Sequence, residues 1–226
     1  CLTLARLQTQ LTNKNTFITT GGHSTIYKKT VNIDNDSIDI AIKEQAEDKM
    51  VNKKHIVWVE YGVLKKCNEL VLKKVTQNLP LIYDMNICKN DNKIIFYNEL
   101  ASGDFIDWLY DDHSEDEWMS FLFQFWCGLY VLQKHVKLVH NDLRLGNVLY
   151  HKINKDKVNI NKEYWKYTID GIDYFIPNEG YVFIIWDFGS SDLIDSNTSQ
   201  DVRYNKLKAN IDLHFFHDLY NRIRVL

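Results

Sequence analysis

The stretch VHNDLRLGNVLY, from Val139 to Tyr150, sets His140, Asp142 and Asn147 at fixed offsets inside an apolar frame. A second run, WDFG from Trp186 to Gly189, puts Asp187 just after the apolar segment YVFII. Polar residues that follow buried strand-like segments emerge at the edge of a core, so Asp142, Asn147 and Asp187 can gather at one site as oxygen ligands or proton acceptors. An oxygen-only donor set suits Mg²⁺, which keeps waters and substrate phosphate oxygens in its shell. A carboxylate near an attacking hydroxyl can act as its base or orient it. His140 reads as a structural hydrogen-bonding residue rather than a base.

Charge balance for a phosphate comes from Lys43, at the end of AIK on a strand pattern. Such a lysine needs a carboxylate to hold it. Glu69, on a helical stretch, is the candidate partner, and Glu60 competes. TTGGHSTIY puts Gly21 and Gly22 in a turn between two strands, where backbone N–H groups can approach phosphate closely.

These residues need elements to position them. STIYKKTV, SIDIAIK and NDNKIIFYNEL alternate as half-buried strands do. VEYGVLKKCNELVLKKV carries Val63, Leu64, Leu70, Val71 and Val75 at helical spacing, and Pro80 stops any helix. HSEDEWMSFLFQFWCGLYVLQKH reads as a long helix, with Ser114 and Glu117 as a capping box and acidic residues in its first turn. YTIDGIDYFI centres Asp170-Gly171 between alternating residues, a hairpin signal. The tail IDLHFFHDLYNRI reads as helical. We expect a first lobe over residues 1–101, a second over residues 102–226 with a hairpin insertion at about 152–180, and a ligand held in a crevice between lobes.

Bulk composition narrows the classes. The chain has 226 residues, 45% apolar and 13% aromatic, enough for a real core rather than disorder. The formal net charge of −3 supplies no global basic field for nucleic acid or a membrane surface. Cys1, Cys67, Cys88 and Cys127 form no C-x-x-C pair and read as idle thiols in a reducing compartment. The longest apolar run, FLFQFWCGLYVL, is too short to span a bilayer and contains Gln124. No signal peptide is visible, so we expect an intracellular, cytoplasmic protein, with nucleus or virion as alternatives. The start at Cys1 rather than Met reads as a fragment or a processed product.

The order of parts resembles the eukaryotic-type protein kinase fold, whose signature is a Gly-rich loop, a strand Lys, a helix Glu, H-R-D-x-x-x-x-N and D-F-G. The resemblance runs from about Phe17 to the final helix. It implies an α+β, two-lobed fold: an N-lobe antiparallel sheet with one helix, and a mainly helical, truncated C-lobe. It implies ATP and Mg²⁺ as cofactors. Lys43 would contact the α- and β-phosphates and pair with Glu69, Asp142 would be the catalytic base, and Asn147 and Asp187 would hold the metal. Gly21, Gly22, Ser24, Ile26, Ala41 and Leu149 would line the nucleotide site. Glu99 to Ala101 would meet adenine, Asp104 would lie near the ribose, and Asp212 would support the catalytic loop. The implied activity is transfer of the γ-phosphoryl group to Ser or Thr hydroxyls of a protein substrate by a monomer that needs no nucleic acid or membrane.

The departures are informative. Aligned on TIYK, Thr19 and Ser24 stand where the first and third glycines would be. Asn141 replaces the loop Arg that in the family pairs with an activation-loop phosphate. Arg144 sits where serine/threonine kinases carry Lys, and can meet the transferring phosphoryl group. No A-P-E follows Asp187. LGNVL, the insertion YTIDGIDYFIPNEG and the missing A-P-E are together similar to haspin-type atypical kinases. The AT-rich residue bias and the short second lobe are similar to kinase-like proteins of large DNA viruses. Two other readings stand beside this one: a small-molecule kinase of the aminoglycoside or choline type, which shares DLxxGN, and a pseudokinase scaffold. Because Asn141 cannot bind a phosphate as Arg does, a variant with Ser190, Ser191, Ser196, Thr198 and Ser199 all changed to Ala should keep its phosphotransfer rate; a large loss of rate refutes phosphate-independent control.

Overall fold

Strand alternation dominates the first half of the chain, and the computed structural model pairs it into one sheet. Residues 15–21, 24–33, 36–46, 56–88, 93–153, 164–193 and Leu219 are described. They fall into two units: one comprises residues 1–61 and 81–100, the other residues 62–80 and 101–226. Residues 62–80, assigned to the first lobe from the sequence, group with the second unit.

The first unit holds β1 (Thr16–Thr20), β2 (Ser24–Ile33), β3 (Asp36–Ala46), β4 (Ile82–Cys88) and β5 (Lys93–Glu99) in the order β1-β2-β3-β5-β4. Every pairing is antiparallel. Side chains alternate between two faces. Val31, Ile40, Ile42 and Tyr97 build a buried cluster on one face, with Tyr27 and Ile38 against it. Ala41, Lys43, Phe96 and Asn98 belong to the other face, because directly opposed residues of antiparallel strands project together. The helix α1 (Ile56–Leu72) begins in this unit, with the Tyr61 ring 6.4 Å from that of Phe96.

The second unit contains the rest of α1, then β6 (Gly103–Asp104), α2 (Phe105–Trp108) and α3 (Glu115–Val131). Ser114 caps α3: its Oγ accepts from Glu117 N at 3.2 Å, and Glu117 Oε2 accepts from Ser114 N at 2.8 Å. A π-turn over Leu132–Val136 closes the helix at Lys137, which is left-handed with φ 59°. Short strands follow: β7 (Leu138–Val139), β8 (Val148–Lys152), β9 (Tyr164–Ile169), β10 (Ile172–Pro177), β11 (Tyr181–Ile185) and β12 (Asp192–Leu193). They pair as β11-β8-β6, β10-β9 and β12-β7. The mainly helical second lobe expected from the resemblance is not confirmed. Among the described residues this unit is strand-rich, because the β-branched and aromatic alternation from Val148 to Ile185 closes ladders. The helix expected over the tail, Asp212 included, lies outside the described residues apart from Leu219, which is helical and buried.

Two glycines carry a conformational argument. Asp170 and Gly171 turn between β9 and β10 with φ 51° and 81°, the doubly positive turn that matches strand twist. A Cβ on Gly128 would lie 3.0 Å from Ile185 Cδ1, so its absence lets α3 sit close on β11. The resulting core is aromatic: Phe105 stacks on Phe121 at 4.2 Å, and Phe183 meets Phe121 edge-on at 4.9 Å. On the other side of α3, Cys127 packs with Tyr167 and Ile176 of the hairpin.

A polar network is buried inside this core. Asn78 and Gln124 are both fully buried. Asn78 Nδ2 donates to Gln124 Oε1 at 3.0 Å and to Phe183 O at 2.8 Å. Gln124 Oε1 also accepts from Phe183 N at 3.1 Å, and its Nε2 donates to Ser120 Oγ and Tyr181 O. Ile185 N donates to Asn78 O at 3.2 Å. Two amides thus join the 76–80 segment, α3 and β11. Gln124→Leu keeps the volume but orphans several of these groups, and should lower unfolding stability by about 2–3 kcal/mol. Urea denaturation checks this; an unchanged midpoint contradicts the network's role.

Candidate active site

Lys43 leaves β3 on the face it shares with Ala41. Its Nζ lies 2.6 Å from Glu60 Oε1, and both side chains are buried, at 5% and 2% exposure. Gln45 Nε2 donates to Glu60 Oε2 at 3.4 Å. Glu69, the expected partner, is instead an exposed side chain 3.8 Å from Lys73. The helix explains the correction. Glu60 and Glu69 are separated by about two and a half turns and so lie on opposite sides of α1. The buried stripe of α1 contains Val57, Glu60, Val63, Leu64 and Cys67. Glu60, an acid within an apolar stripe, was the signal available in the sequence.

Other first-unit residues frame this pair. Ile26 opposes Lys43 on β2, and Ala41 is half-buried beside it on β3. Gly21 N donates to Ser24 O at 2.8 Å, closing the β1–β2 turn. Its φ is not positive and a Cβ there would meet nothing closer than 3.8 Å, so the turn itself does not demand glycine at 21. Gly22 lies outside the described residues. Glu99 is locked to Leu81: Glu99 N donates to Leu81 O at 3.0 Å, and Leu81 N donates to Glu99 Oε1 at 2.7 Å.

In the second unit, Asp142 follows β7 on a loop whose bonds are made largely to itself. Asn147 is buried, and its Nδ2 donates to Asp142 O at 2.7 Å and Asp142 Oδ2 at 3.0 Å. The amide nitrogen is used on Asp142, which leaves the amide oxygen as the group suited to a metal. Arg144 Nε stands 3.6 Å from Asp142 Oδ2, and both side chains reach solvent. β8 and β11 pair Val148 with Ile185, and Trp186 N donates to Asn147 O at 2.8 Å, so Asp187 follows a residue bonded to the Asn147 backbone. Asp187 itself is left-handed, with φ 65° and ψ 79°. Such a conformation costs a non-glycine residue on the order of 1 kcal/mol, and Asp tolerates it better than most.

His140 is consumed structurally. Its Nδ1 accepts from Asp142 N at 3.3 Å, so Nε2 is the nitrogen that donates to Trp186 O at 2.9 Å. Asn141 is also left-handed, φ 64°, and its Nδ2 donates to Ser190 O at 3.0 Å. Ser191 is buried, with its Oγ donating to His140 O at 3.3 Å, and β12 pairs with β7 beyond it. A chain of neutral hydrogen bonds therefore ties the segment after Asp187 to the loop that carries Asp142. The sequence named Asn141 only for what it lacks; the bond to Ser190 has no sequence signature.

Asp104 has a structural task at the start of α2, where its Oδ1 accepts from Ile106 N and Asp107 N at 2.8 and 3.0 Å. Its second oxygen is not used by that cap. Leu149 opposes Asp104 across the β6–β8 ladder, and Ala101 is half-buried just before Ser102, whose N donates to Tyr150 O. Among the described residues, no three His, Cys, Asp or Glu side chains form a metal cage. Asn147 and Asp187 would offer an oxygen donor set of the kind that suits Mg²⁺, an ion that takes few protein ligands and keeps water and phosphate oxygens. Two thiols are held in the unreactive protonated form: burial raises Cys67 well above its ordinary value and pushes Cys127 up to about 11. Among the described residues no helix is long and apolar enough to cross a membrane.

Comparison with known proteins adds to this geometry. A family model described as protein tyrosine and serine/threonine kinase matches residues 12–210. The probable serine/threonine-protein kinase 380R of Invertebrate iridescent virus 6 is 31% identical over 191 residues, covering 76% of this chain and 35% of that protein. The putative serine/threonine-protein kinase 019R of Frog virus 3 is 25% identical over 191 residues, covering 75% of this chain and 22% of that protein. The uncharacterized protein R403 of Acanthamoeba polyphaga mimivirus is 36% identical over 73 residues, 32% of this chain and 9% of that protein. This chain thus spans 35% or less of each of these relatives. With a family match over most of its length, and with a strand lysine salt-bridged to a helix glutamate, the chain belongs to the protein tyrosine and serine/threonine kinase family.

Proposed function

We propose that this chain is a kinase domain that transfers the γ-phosphoryl group of Mg²⁺-bound ATP to Ser or Thr hydroxyls of a protein. The observation that carries the reading is the Asp142–Asn147 pair: the amide nitrogen holds the carboxylate, and the amide oxygen is left over. Asp142 is the base. Its carboxylate is partly exposed, so an acceptor hydroxyl can reach it, and the Asn147 hydrogen bond fixes its orientation. Bound Mg²⁺ supplies charge neutralisation at the phosphates, with Asn147 and Asp187 as its protein ligands. Lys43 meets the α- and β-phosphates and is held by Glu60 rather than Glu69. Arg144 meets the transferring group. The names of the two viral relatives support Ser/Thr acceptors, and the neutral Asn141–Ser190 bond supports a loop that keeps its place without a phosphate.

Transfer from labelled ATP to a protein mixture tests this reading. Asp142→Asn should lower incorporation by about 100-fold or more, the usual scale for losing a positioned base. Label found on Tyr alone rules out the Ser/Thr assignment, and incorporation within twofold of wild type rules out Asp142 as base. A second comparison separates the two glutamates. Glu60→Gln should cost about tenfold or more in kcat/KM for ATP, and Glu69→Gln should stay within about twofold. The reverse order removes Glu60 from the mechanism.

A further inference from the structure

A groove of about 1200 Å³ lies within the second unit, and no residue assigned above to phosphoryl transfer lines it. Its lining comes from Val71 near the end of α1, the segment 74–77, the π-turn after α3, and β9. On β9 the five neighbours 164–168 all line it. Successive side chains of a strand point to opposite faces, so such a run shares one groove where the strand lies along it by its edge.

That edge is open. Among the described residues β9 pairs with β10 alone. The turn between them is Asp170-Gly171, so Ile169 and Ile172 exchange backbone bonds, and by alternation Tyr167 and Trp165 also face β10. The N–H and C=O groups of Tyr164, Lys166 and Thr168 therefore point away from β10. An unpaired strand edge is a template for another extended chain.

Charge and shape select that chain. Lys74, Lys134, Lys166 and His135 line the groove, and Asp170 is the one carboxylate among the described lining residues. Lys134 is bonded to Asp170, and Lys166 to Asp173 at 2.8 Å; Lys74 has no carboxylate partner among the described residues. The whole chain carries a formal charge of −3, so this basic lining is local. A smaller pocket of about 50 Å³ shares Val75, Thr76, Lys134, Tyr167 and Asp170 with the groove and reaches Cys127 and Val131 of α3. One water needs about 10–15 Å³ of such space, so a small aliphatic side chain fits there.

We propose that this groove docks an extended acidic segment of a partner protein. The segment adds to β9 as a third strand, sets a small aliphatic side chain over Cys127, and places carboxylates against the groove's lysines. Main-chain bonds to Lys166 and Thr168 supply affinity, and alternate side chains supply specificity. The edge offers backbone donors and acceptors in alternation, which match a peptide and not a sugar–phosphate chain.

Fluorescence anisotropy with a labelled peptide of about eight residues, alternating Glu and Val, tests this. The comparison probes are a Lys/Val peptide, Glu/Val peptides N-methylated at every Val or at every Glu, and single-stranded oligothymidylate. The wild type should bind the Glu/Val peptide about tenfold or more tightly than the Lys/Val peptide. One of the two N-methylated forms should lose about tenfold or more, because its methyl groups occupy the edge that meets β9. The Lys74→Gln, Lys166→Gln double variant should bind the Glu/Val peptide about fivefold or more weakly, with an unchanged melting point. Equal binding of the Glu/Val and Lys/Val peptides, or no binding at about 1 mM, overturns the proposal without any variant. Full affinity of both N-methylated forms removes strand addition. Tighter binding of oligothymidylate than of the Glu/Val peptide makes the groove a nucleic-acid surface instead. A dimer of the chain alone in sedimentation, lost in Thr168→Pro, makes the occupant a second copy.

Discussion

Two buried amides bear much of the second unit. Asn78 and Gln124 sit where α3, the 76–80 segment and β11 meet, and between them they bond the backbone of Tyr181, Phe183 and Ile185. β11 ends just before Trp186 and Asp187. The strand that leads to Asp187 is therefore registered by side-chain amides as well as by its ladder to β8. In a low-dielectric interior such a network is strong only when every member is satisfied, which makes it specific to one register. The aromatic core of Phe105, Phe121 and Phe183 supplies attraction but not register, because stacked rings tolerate sliding that a pair of amides does not.

The loop around Asp142 extends the same logic to the chemistry. His140 spends both nitrogens on backbone, Asn147 spends its amide nitrogen on Asp142, and Asn141 spends its amide on Ser190. The bonds from His140 to Trp186 and from Asn141 to Ser190 join the two short segments that hold Asp142 and Asp187. Those two are neutral, so they need no added charge to form. Two of the residues involved, Asn141 and Asp187, adopt left-handed backbone, and both are residue types that tolerate it. The local strain is absorbed by a loop whose hydrogen bonds determine its path.

Lys43 and Glu60 present the opposite case, charges held in a buried place. Desolvating both is costly, and their attraction offsets this only with close geometry and further partners. The 2.6 Å contact and Gln45 meet that condition. Such a pair is poor evidence of stability and better evidence of a task for the lysine. Asn98, one row along the same sheet face, is costly in another way, with an amide that finds no partner within the fold.

Local features were legible from residues alone. Ser114 and Glu117 cap α3 because the box is written within four positions, and Asp170-Gly171 turns because glycine accepts a positive φ. The order Lys43, Asp142, Asn147, Asp187 identified the family, since its chemistry constrains residue type at each place. Non-local choices were not legible. Spacing says that Glu60 and Glu69 face apart on α1, but which of them meets Lys43 depends on which side of the helix is buried, and that is a tertiary matter. The second unit was expected to be mainly helical; its β9–β10 hairpin is local, but its β11-β8-β6 and β12-β7 ladders join strands distant in sequence. Asn98 looked like one more strand residue until burial removed its water. The sequence alone thus determined residue chemistry and local turns, which depend on neighbours a few positions away. The tertiary structure decided which groups were paired and which were left without a partner, because pairing and loss of solvent depend on segments far apart in the chain.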